Sequence, residues 1–259
     1  MTGNTYEGLH FEKKGHVAVL TLSHPEKLNA LTVPMRVGLR DLCQQVERDP
    51  DVRVLVVTGA GRAFCAGADM SAPIGEHRAD PTDPAGFWAA PLLKLEKPTI
   101  AAVNGVAAGG GLSAVLCCDI RIASDQARFT AIWIRRALIP DGLATWLLPR
   151  IVGMSRACEL SYTGRIIDAA EAERIGLVSK VVPHAQLLPE VMALAEEIAQ
   201  QAPIALRLTK RAFLFGAVNA PDEQVFHESA AQDICLASED HVDGRKAFLE
   251  KRVPVCKGR

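Results

Sequence analysis

Aliphatic, β-branched runs alternate with helical patterns along the first half of the chain. HVAVLTL at 16–22 and VRVLVVTG at 52–59 predict two strands, and TVPMRVGLRDLCQQVERD between them has the period of an amphipathic helix. PTIAAVNG at 98–105 and IRIAS at 120–124 predict further strands, on either side of a buried helix at 111–119. Strands that alternate with helices usually form parallel sheets covered by those helices. The pattern therefore predicts an α/β fold with a largely parallel sheet.

The pattern changes after about residue 145 and becomes mostly helical. Three long amphipathic stretches occupy residues 186–252. We therefore divide the chain into a core, residues 1–195, and a helical C-terminal region, residues 196–259. This region carries more apolar stripes than a single domain would cover, so the pattern also predicts subunit packing.

Composition narrows the classes of function. The 259 residues are 49% hydrophobic and carry a net charge of -1, without the long basic run that nucleic acid or an anionic membrane would require. The chain starts without a signal-peptide pattern and has no apolar run of about 18 residues, so we expect a soluble, cytoplasmic protein. Its seven cysteines are scattered, with no C-x-x-C pair, which favours buried free thiols over disulfides or a metal site.

Candidate chemistry lies in two glycine-bearing stretches that each follow a predicted strand. In GRAFCAGAD, residues 61–69, the small residues around Gly67 let backbone amides approach a ligand closely. In NGVAAGGGLSAVLCCD, residues 104–119, three glycines open a helix whose first N–H groups would suit an oxyanion. Tight turns and close backbone packing are the alternatives. A dinucleotide loop fits poorly, because the G-x-G-x-x-G spacing is absent.

Together, these two stretches resemble the two signatures of the enoyl-CoA hydratase/isomerase family, the crotonases. The resemblance covers nearly the whole chain, from LSHPEKLNALT at 22–32 to KAFLEKRVP at 246–254. It implies a spiral of repeated strand–strand–helix turns, with a helical C-terminal part that trimerises; two such trimers often stack into a hexamer. It also implies an acyl-CoA thioester substrate, with coenzyme A as part of that substrate and no separate cofactor or metal.

The resemblance also assigns roles to individual residues. The backbone N–H groups of Ala68 and Gly110 would form an oxyanion hole that holds the thioester oxygen as an enolate develops. The residues that would contact the acyl-CoA are Lys27, Leu28, Ala66, Asp69, Met70, Gly109, Trp133, Phe248 and Lys251. The two lysines could instead be solvated surface residues. Asp69 could instead cap the helix after it, and this is the role that we favour.

The chain departs from the hydratase pattern at the catalytic acids. Hydratases carry two glutamates where this sequence has Ser113 and Trp133, so the two-glutamate mechanism has no acid to use. We expect Ser113 to be a small packing residue. Asp141, eight residues after Trp133, matches the aspartate of dienoyl-CoA isomerases and of the ring-epoxide isomerase of phenylacetate degradation. We therefore predict that Asp141 shuttles a proton, with its pKa raised by burial against Trp133, Ile134 and Leu138. The alternative is an aspartate that only forms a Pro-Asp-Gly turn.

Other functions remain open alongside the isomerase. A single acid could support hydration in an atypical site, and the chain could also bind acyl-CoA without catalysis. The 4-chlorobenzoyl-CoA dehalogenases share the Trp133 and Asp141 spacing, but they also use a histidine that the segment DPAGFWAAPLL lacks; the nearest upstream is His77. An RNA-binding homologue is disfavoured by the near-neutral charge. Phe87 and Trp88, at the wall of the acyl pocket in crotonases, point weakly to a ring-bearing acyl group.

Overall fold

The larger sheet is built from the strands that the hydrophobic runs predict. The computed structural model describes residues 6–71 and 89–259, and within them this sheet has six strands in the order β1-β2-β3-β5-β7-β10. The hairpin β1–β2 is antiparallel and the other pairs are parallel. The strand bounds are β1 Leu9–Lys14, β2 Val17–Leu22, β3 Val54–Gly59, β5 Thr99–Val103, β7 Ile120–Ser124 and β10 Lys180–Val182.

A second, smaller sheet is formed by short strands that alternate along the chain with strands of the larger sheet. In the described part of the chain it has four short strands, ordered β4-β6-β8-β9, with only β9 antiparallel to its neighbour. The bounds are β4 Ala63–Cys65, β6 Val106–Ala108, β8 Arg128–Thr130 and β9 Ile166–Asp168. Strands β3, β5 and β7 are each followed within a few residues by a strand of this smaller sheet. This repeat confirms the predicted crotonase spiral.

Helices follow the strand pairs and then occupy the rest of the chain. Their bounds are α1 Val33–Arg48, α2 Ala90–Lys94, α3 Gly110–Cys117, α4 Ala144–Val152, α5 Met154–Thr163, α6 Ala169–Arg174, α7 Leu187–Ala199, α8 Pro203–Gly216, α9 Pro221–Leu236 and α10 Glu239–Glu250. Short 3-10 helices span Pro25–Lys27, Ile132–Arg136 and His184–Gln186.

Burial explains why the predicted elements form. Strand β5 is buried at every position and β2 and β3 at all but one each, as expected for central strands covered on both faces. Helix α1 begins where the Thr32 hydroxyl accepts a hydrogen bond from the Met35 N–H. Helix α3 is buried along its whole length, so it crosses the core and does not follow the surface.

The C-terminal helices differ from the core helices in what they cover. Helix α7 packs Leu187, Val191, Ala195 and Ala199 against the larger sheet, so it spans the position of the domain boundary proposed at residue 195. Helix α9 has no buried residue, and large apolar side chains are exposed along it. All seven cysteines are free thiols, of which four are buried and three are partly exposed. No helix in the described residues is long and apolar enough to cross a membrane.

Candidate active site

The first glycine stretch pairs with the segment that leads into α1. Leu31 donates its N–H to the Gly67 carbonyl at 2.7 Å and accepts from the Asp69 N–H at 3.0 Å, which makes an isolated parallel bridge between Leu31 and Ala68. In such a bridge, the residue between the two bonding groups points its own N–H and C=O to the opposite side. The Ala68 N–H is therefore directed away from Leu31 and is not used by this pairing.

The second glycine stretch packs directly on the first. Gly67 has a φ of 97°, and a β-carbon there would lie 2.9 Å from the Ala108 oxygen and 3.5 Å from the Gly110 nitrogen. A β-carbon on Gly111 would overlap the carbonyl oxygen of Cys65. Only glycine therefore allows this approach, which places the Gly110 N–H beside the Gly67–Ala68 peptide.

The two glycine stretches meet at Gly67 and Gly110, a place that we call the glycine junction. The start of α3 presents a backbone donor there. Gly109 has φ 52° and ψ -124°, a conformation that side chains exclude, and its N–H donates to the Thr130 oxygen at 3.2 Å. Gly110 follows as the first helical residue, so its N–H has no acceptor within the helix, and the helix dipole adds positive potential there. A β-carbon on Gly109 would lie 4.0 Å from the Trp133 ring. Gly109, Gly110 and Trp133, three of the predicted site residues, therefore lie close together.

Asp141 heads a tight turn, residues 141–144, which we call the Asp141 turn. Its carbonyl accepts from the Ala144 N–H at 2.9 Å, and both Gly142 and Leu143 are left-handed, with φ of 55° and 70°. Its carboxylate has a different partner, because Oδ1 accepts from the Trp133 indole N–H at 3.0 Å. The backbone of Asp141 makes the turn while its side chain is held by the residue eight positions earlier.

The surroundings of Asp141 shift its acidity in the predicted direction. Burial raises the pKa of Asp141, while the hydrogen bond from Trp133 and the positive charge of Arg36 act against this rise. Asp141 as a residue is nevertheless exposed to solvent. The expected cause needs correction in one respect. Ile134 and Leu138 are 47% and 53% exposed, so they are not the cover that we predicted.

Arg36 is a charged neighbour that the sequence did not reveal. It lies half-buried on the first turn of α1, five residues after the residue that pairs with Ala68. Burial lowers the pKa of Arg36 and the negative charge of Asp141 raises it, so the two groups lie close enough to interact electrostatically. A guanidinium keeps its charge under such conditions, so a fixed positive charge acts on Asp141.

Lys27 and Asp69, two of the predicted acyl-CoA contacts, form an ion pair. Lys27 Nζ donates to Asp69 Oδ2 at 2.8 Å and to the Ser71 hydroxyl at 3.2 Å, and it remains 46% exposed. The hydrogen bonds from Lys27 and Ser71 hold the pKa of Asp69 well below its usual range. Asp69 Oδ1 also accepts from the Ser71 N–H at 2.9 Å. Asp69 therefore caps a turn here; the helix that we expected it to cap falls outside the described residues.

The other predicted contacts divide into two groups. Ala66 donates its N–H to the carbonyl of Leu28, which follows Lys27, and Met70, 57% exposed, follows Asp69; these three residues therefore lie beside the Lys27–Asp69 pair. Phe248 and Lys251 lie at the end of α10, where Phe248 is 83% exposed. Within the described residues, no hydrogen bond joins these two to the site of a single chain. Residues 72–88, with His77, Phe87 and Trp88, lie outside the described part.

Two buried asparagines, which the sequence pattern did not mark as site residues, build the loop before the site. Asn29 donates to the carbonyls of Ala60 and Ala63 at 2.9 and 2.8 Å, and accepts from the His24 N–H at 2.8 Å. Asn104 donates to the same Ala63 carbonyl at 3.1 Å. The only signal in the sequence was an asparagine within each segment that carries the resemblance. These side chains hold the strand that delivers the first glycine stretch.

Comparison with known proteins agrees with this geometry. Residues 12–259 match the family described as Enoyl-CoA hydratase/isomerase. The chain is 39% identical to a crotonyl-CoA hydratase of Syntrophomonas wolfei, over 95% of this chain and 96% of the relative. It is 39% identical to a 1,2-epoxyphenylacetyl-CoA isomerase of Escherichia coli, over 96% and 97%. The crystal structure of an enoyl-CoA hydratase from Bacillus anthracis superposes with a TM-score of 0.91 at 35% identity, over 97% of this chain and 100% of the other. The chain therefore belongs to the enoyl-CoA hydratase/isomerase family of acyl-CoA enzymes.

Proposed function

We propose that this enzyme shifts the double bond of an enoyl-CoA thioester, with Asp141 as the proton shuttle. The observation that carries the proposal is the state of this carboxylate. It is solvent-accessible, its pKa is raised by burial, and it is oriented by the Trp133 indole beside the glycine junction. Ser113 and Trp133, where hydratases of this family carry glutamates, cannot exchange a carboxyl proton. One carboxylate suffices to take a proton from one carbon and return it to another.

The proposed chemistry uses the backbone donors as well as the acid. The Asp141 carboxylate removes a proton from the carbon next to the double bond, and the electron pair spreads onto the thioester oxygen as a dienolate. The N–H groups of Ala68 and Gly110 stabilise that oxygen, a role in which one donor contributes about 3 kcal/mol to the transition state. Protonated Asp141 then returns the proton to the far end of the dienolate. Atoms balance without any added reactant.

Substrate binding follows the two groups of residues described above. The half-exposed ammonium of Lys27 is available to the phosphates of coenzyme A as a charge donor, while Gly109 and Trp133 line the acyl end. Leu28, Ala66, Asp69 and Met70 would form the walls between these ends. Coenzyme A enters as part of the substrate, and the proposed reaction uses no separate cofactor or metal.

Hydration is the second candidate. Relatives of this chain are named both as hydratases and as isomerases, and the open face of Asp141 would admit a water molecule. Dehalogenation would use the same Trp133 and Asp141 pair, with the aspartate attacking an aromatic ring. A binder without catalysis would keep the glycine junction and turn over nothing.

The deciding experiment is a panel of 3-enoyl-, 2-enoyl-, dienoyl- and aryl-CoA thioesters, with products followed by mass. Products are separated by chromatography before their mass is measured: an isomer elutes apart from its substrate at unchanged mass, hydration adds one water, and dehalogenation releases halide. Asp141→Asn should lower kcat for isomerisation by about 10²- to 10⁴-fold, the usual contribution of an acid–base group. The matched control is Asp168→Asn, because Asp168 only caps α6 and asparagine caps equally well. Full activity in Asp141→Asn would refute the proton shuttle, and binding without turnover across the panel would favour the binder.

We also propose that the helical C-terminal region, residues 196–259, assembles the enzyme into a trimer or hexamer. The support is a set of exposed apolar side chains on α8, α9 and α10, including Phe213 at 75%, Phe226 at 78% and Phe248 at 83%. In such an assembly, Phe248 and Lys251 would reach the coenzyme A of a neighbouring subunit. Sedimentation should show three or six chains, and Phe226→Asp should weaken the assembly. A monomer at assay concentration would refute this.

A further inference from the structure

The carbonyl oxygen of Asp141 has a second donor besides the turn. The Ser113 hydroxyl donates to it at 2.9 Å, and Ser113 is completely buried. The next residue of the turn also packs tightly against Ser113, since a β-carbon on Gly142 would lie 2.8 Å from the Ser113 β-carbon. The hydroxyl therefore bridges helix α3 and the Asp141 turn, and it does so from the position where a hydratase would place a glutamate.

Helix α3 supports the turn at a second point and also carries an expected oxyanion donor. The Cys117 thiol, four residues after Ser113 and so on the same helix face, donates weakly to the Gly142 carbonyl at 3.6 Å. Gly110 is the first residue of the same helix. One short, buried helix thus fixes both the turn that bears Asp141 and the N–H that would hold the thioester oxygen.

The turn needs such support because its backbone is not relaxed. Leu143, which is not glycine, has a φ of 70°, in the left-handed region that side chains disfavour. Strained residues of this kind persist where surrounding contacts hold them. The Asp141 carbonyl, which closes the turn, is the atom that Ser113 holds.

We propose that Ser113 is a positioning residue whose hydroxyl fixes the Asp141 turn and so sets the distance between the Asp141 carboxylate and the Gly110 N–H. Its importance for turnover rests on the proposed role of Asp141. Ser113 itself does not act on the substrate, because it is fully buried and its hydroxyl bonds to a backbone carbonyl. At the position where hydratases carry a glutamate, this chain has a serine that holds the backbone of a different acidic residue, Asp141.

The first test compares two buried serines. Ser113→Ala should lower kcat about five-fold, the rate equivalent of one neutral hydrogen bond, with KM for the thioester unchanged. Ser113→Cys, which keeps a weak donor, should lie between alanine and wild type. The control is Ser124→Ala, because Ser124 is equally buried but lies away from the turn. Its hydroxyl accepts from the Gln126 N–H and bonds to the His184 Nδ1, each at 3.0 Å. It should lower thermal stability without changing kcat.

The second test does not need turnover. The Trp133 indole donates to the Asp141 carboxylate, so Trp133 fluorescence should report protonation of Asp141 as a pH transition that Asp141→Asn lacks. Among the described residues, Arg36 on α1 is the charged group that interacts electrostatically with this carboxylate, and it stays unchanged in every variant. In Ser113→Ala the loosened turn should expose the Asp141 carboxylate further, and the transition should move to lower pH. Ser124→Ala should leave it in place.

The outcomes separate this inference from the proposed function. If Asp141→Asn keeps full activity, the proton shuttle is refuted, while the fluorescence transition still decides whether Ser113 positions the aspartate. If Ser113→Ala matches Ser124→Ala in both kcat and transition, Ser113 only packs and the inference is overturned. The inference is also overturned if the Asp141-dependent transition occurs at the same pH in Ser113→Ala and wild type, or if neither protein shows a transition.

Discussion

Asn29 provides a direct test of how the loop before the site is held. Its side chain is fully buried, accepts from the His24 N–H, and donates to the carbonyls of Ala60 and Ala63, with the Phe64 carbonyl at 3.2 Å. Its φ of 56° is left-handed, which asparagine tolerates better than most residues. Replacement by alanine removes every one of these hydrogen bonds and leaves the left-handed backbone.

The expected cost follows from these contacts. Three hydrogen bonds at about 1 kcal/mol each, with about 1 kcal/mol for alanine in a left-handed conformation, give a loss of about 4 kcal/mol for Asn29→Ala. This is a large part of the 5–15 kcal/mol that is typical of a folded domain. Asn29→Asp should cost at least as much, since a carboxylate has no donor to offer the surrounding carbonyls.

Urea unfolding at a fixed protein concentration measures this loss. The control is Asn219→Ala, because Asn219 is half-buried at the end of α8 and makes one bond, to the Phe215 carbonyl at 2.8 Å. It should cost about 1 kcal/mol or less. If Asn29→Ala costs no more than Asn219→Ala, the loop is held by other contacts and the reasoning is refuted.

Three further predictions concern the site and its electrostatics. Gly111→Ala should abolish activity and destabilise the fold, because the added methyl overlaps the Cys65 carbonyl, whereas Gly244→Ala, in open space within α10, should stabilise by up to about 1 kcal/mol in thermal unfolding. Trp133→Phe removes a hydrogen bond that lowers the Asp141 pKa, so the acidic limb of the pH–rate profile should move to higher pH; an unmoved limb would contradict the contact. The folded-state pKa of Asp141 is raised, so its stabilising contribution is complete below the unfolded pKa of about 3.9 and is lost as pH rises through the folded value. Asp141→Asn should therefore exceed wild type in unfolding free energy at neutral pH, and this advantage should vanish on acidification.

The larger sheet could be predicted because burial leaves a strong pattern. Strands β2, β3 and β5 are covered on both faces and read as continuous apolar runs. The smaller sheet left no such pattern, since β4, β6, β8 and β9 have three residues each and a period of two needs more. Those strands form because the larger sheet brings them together, which is a tertiary effect.

The site could be predicted where chemistry demands a particular residue type, and not elsewhere. Gly67 and Gly109 occupy left-handed conformations next to other backbone segments, a need that a glycine-rich sequence displays openly. Arg36 interacts electrostatically with Asp141, and Asn29 donates to the carbonyls of Ala60 and Ala63, all more than thirty positions away along the chain. An arginine on a helix and an asparagine in a loop have many ordinary uses, so nothing local marks them.

At Asp141, forming a turn and acting as a proton shuttle are compatible roles, because they use different groups of the residue. Sequence preference for aspartate in turns comes from its carboxylate, which bonds to nearby backbone N–H groups. Here the turn is closed by the Asp141 carbonyl, and Ser113 holds the same oxygen. The carboxylate is oriented mainly by the Trp133 indole, with a smaller backbone hydrogen bond within Asp141 itself, and neither donor neutralises it. Because the backbone makes the turn, the side chain remains available for proton transfer, and a strong turn signal at this position does not count against catalysis.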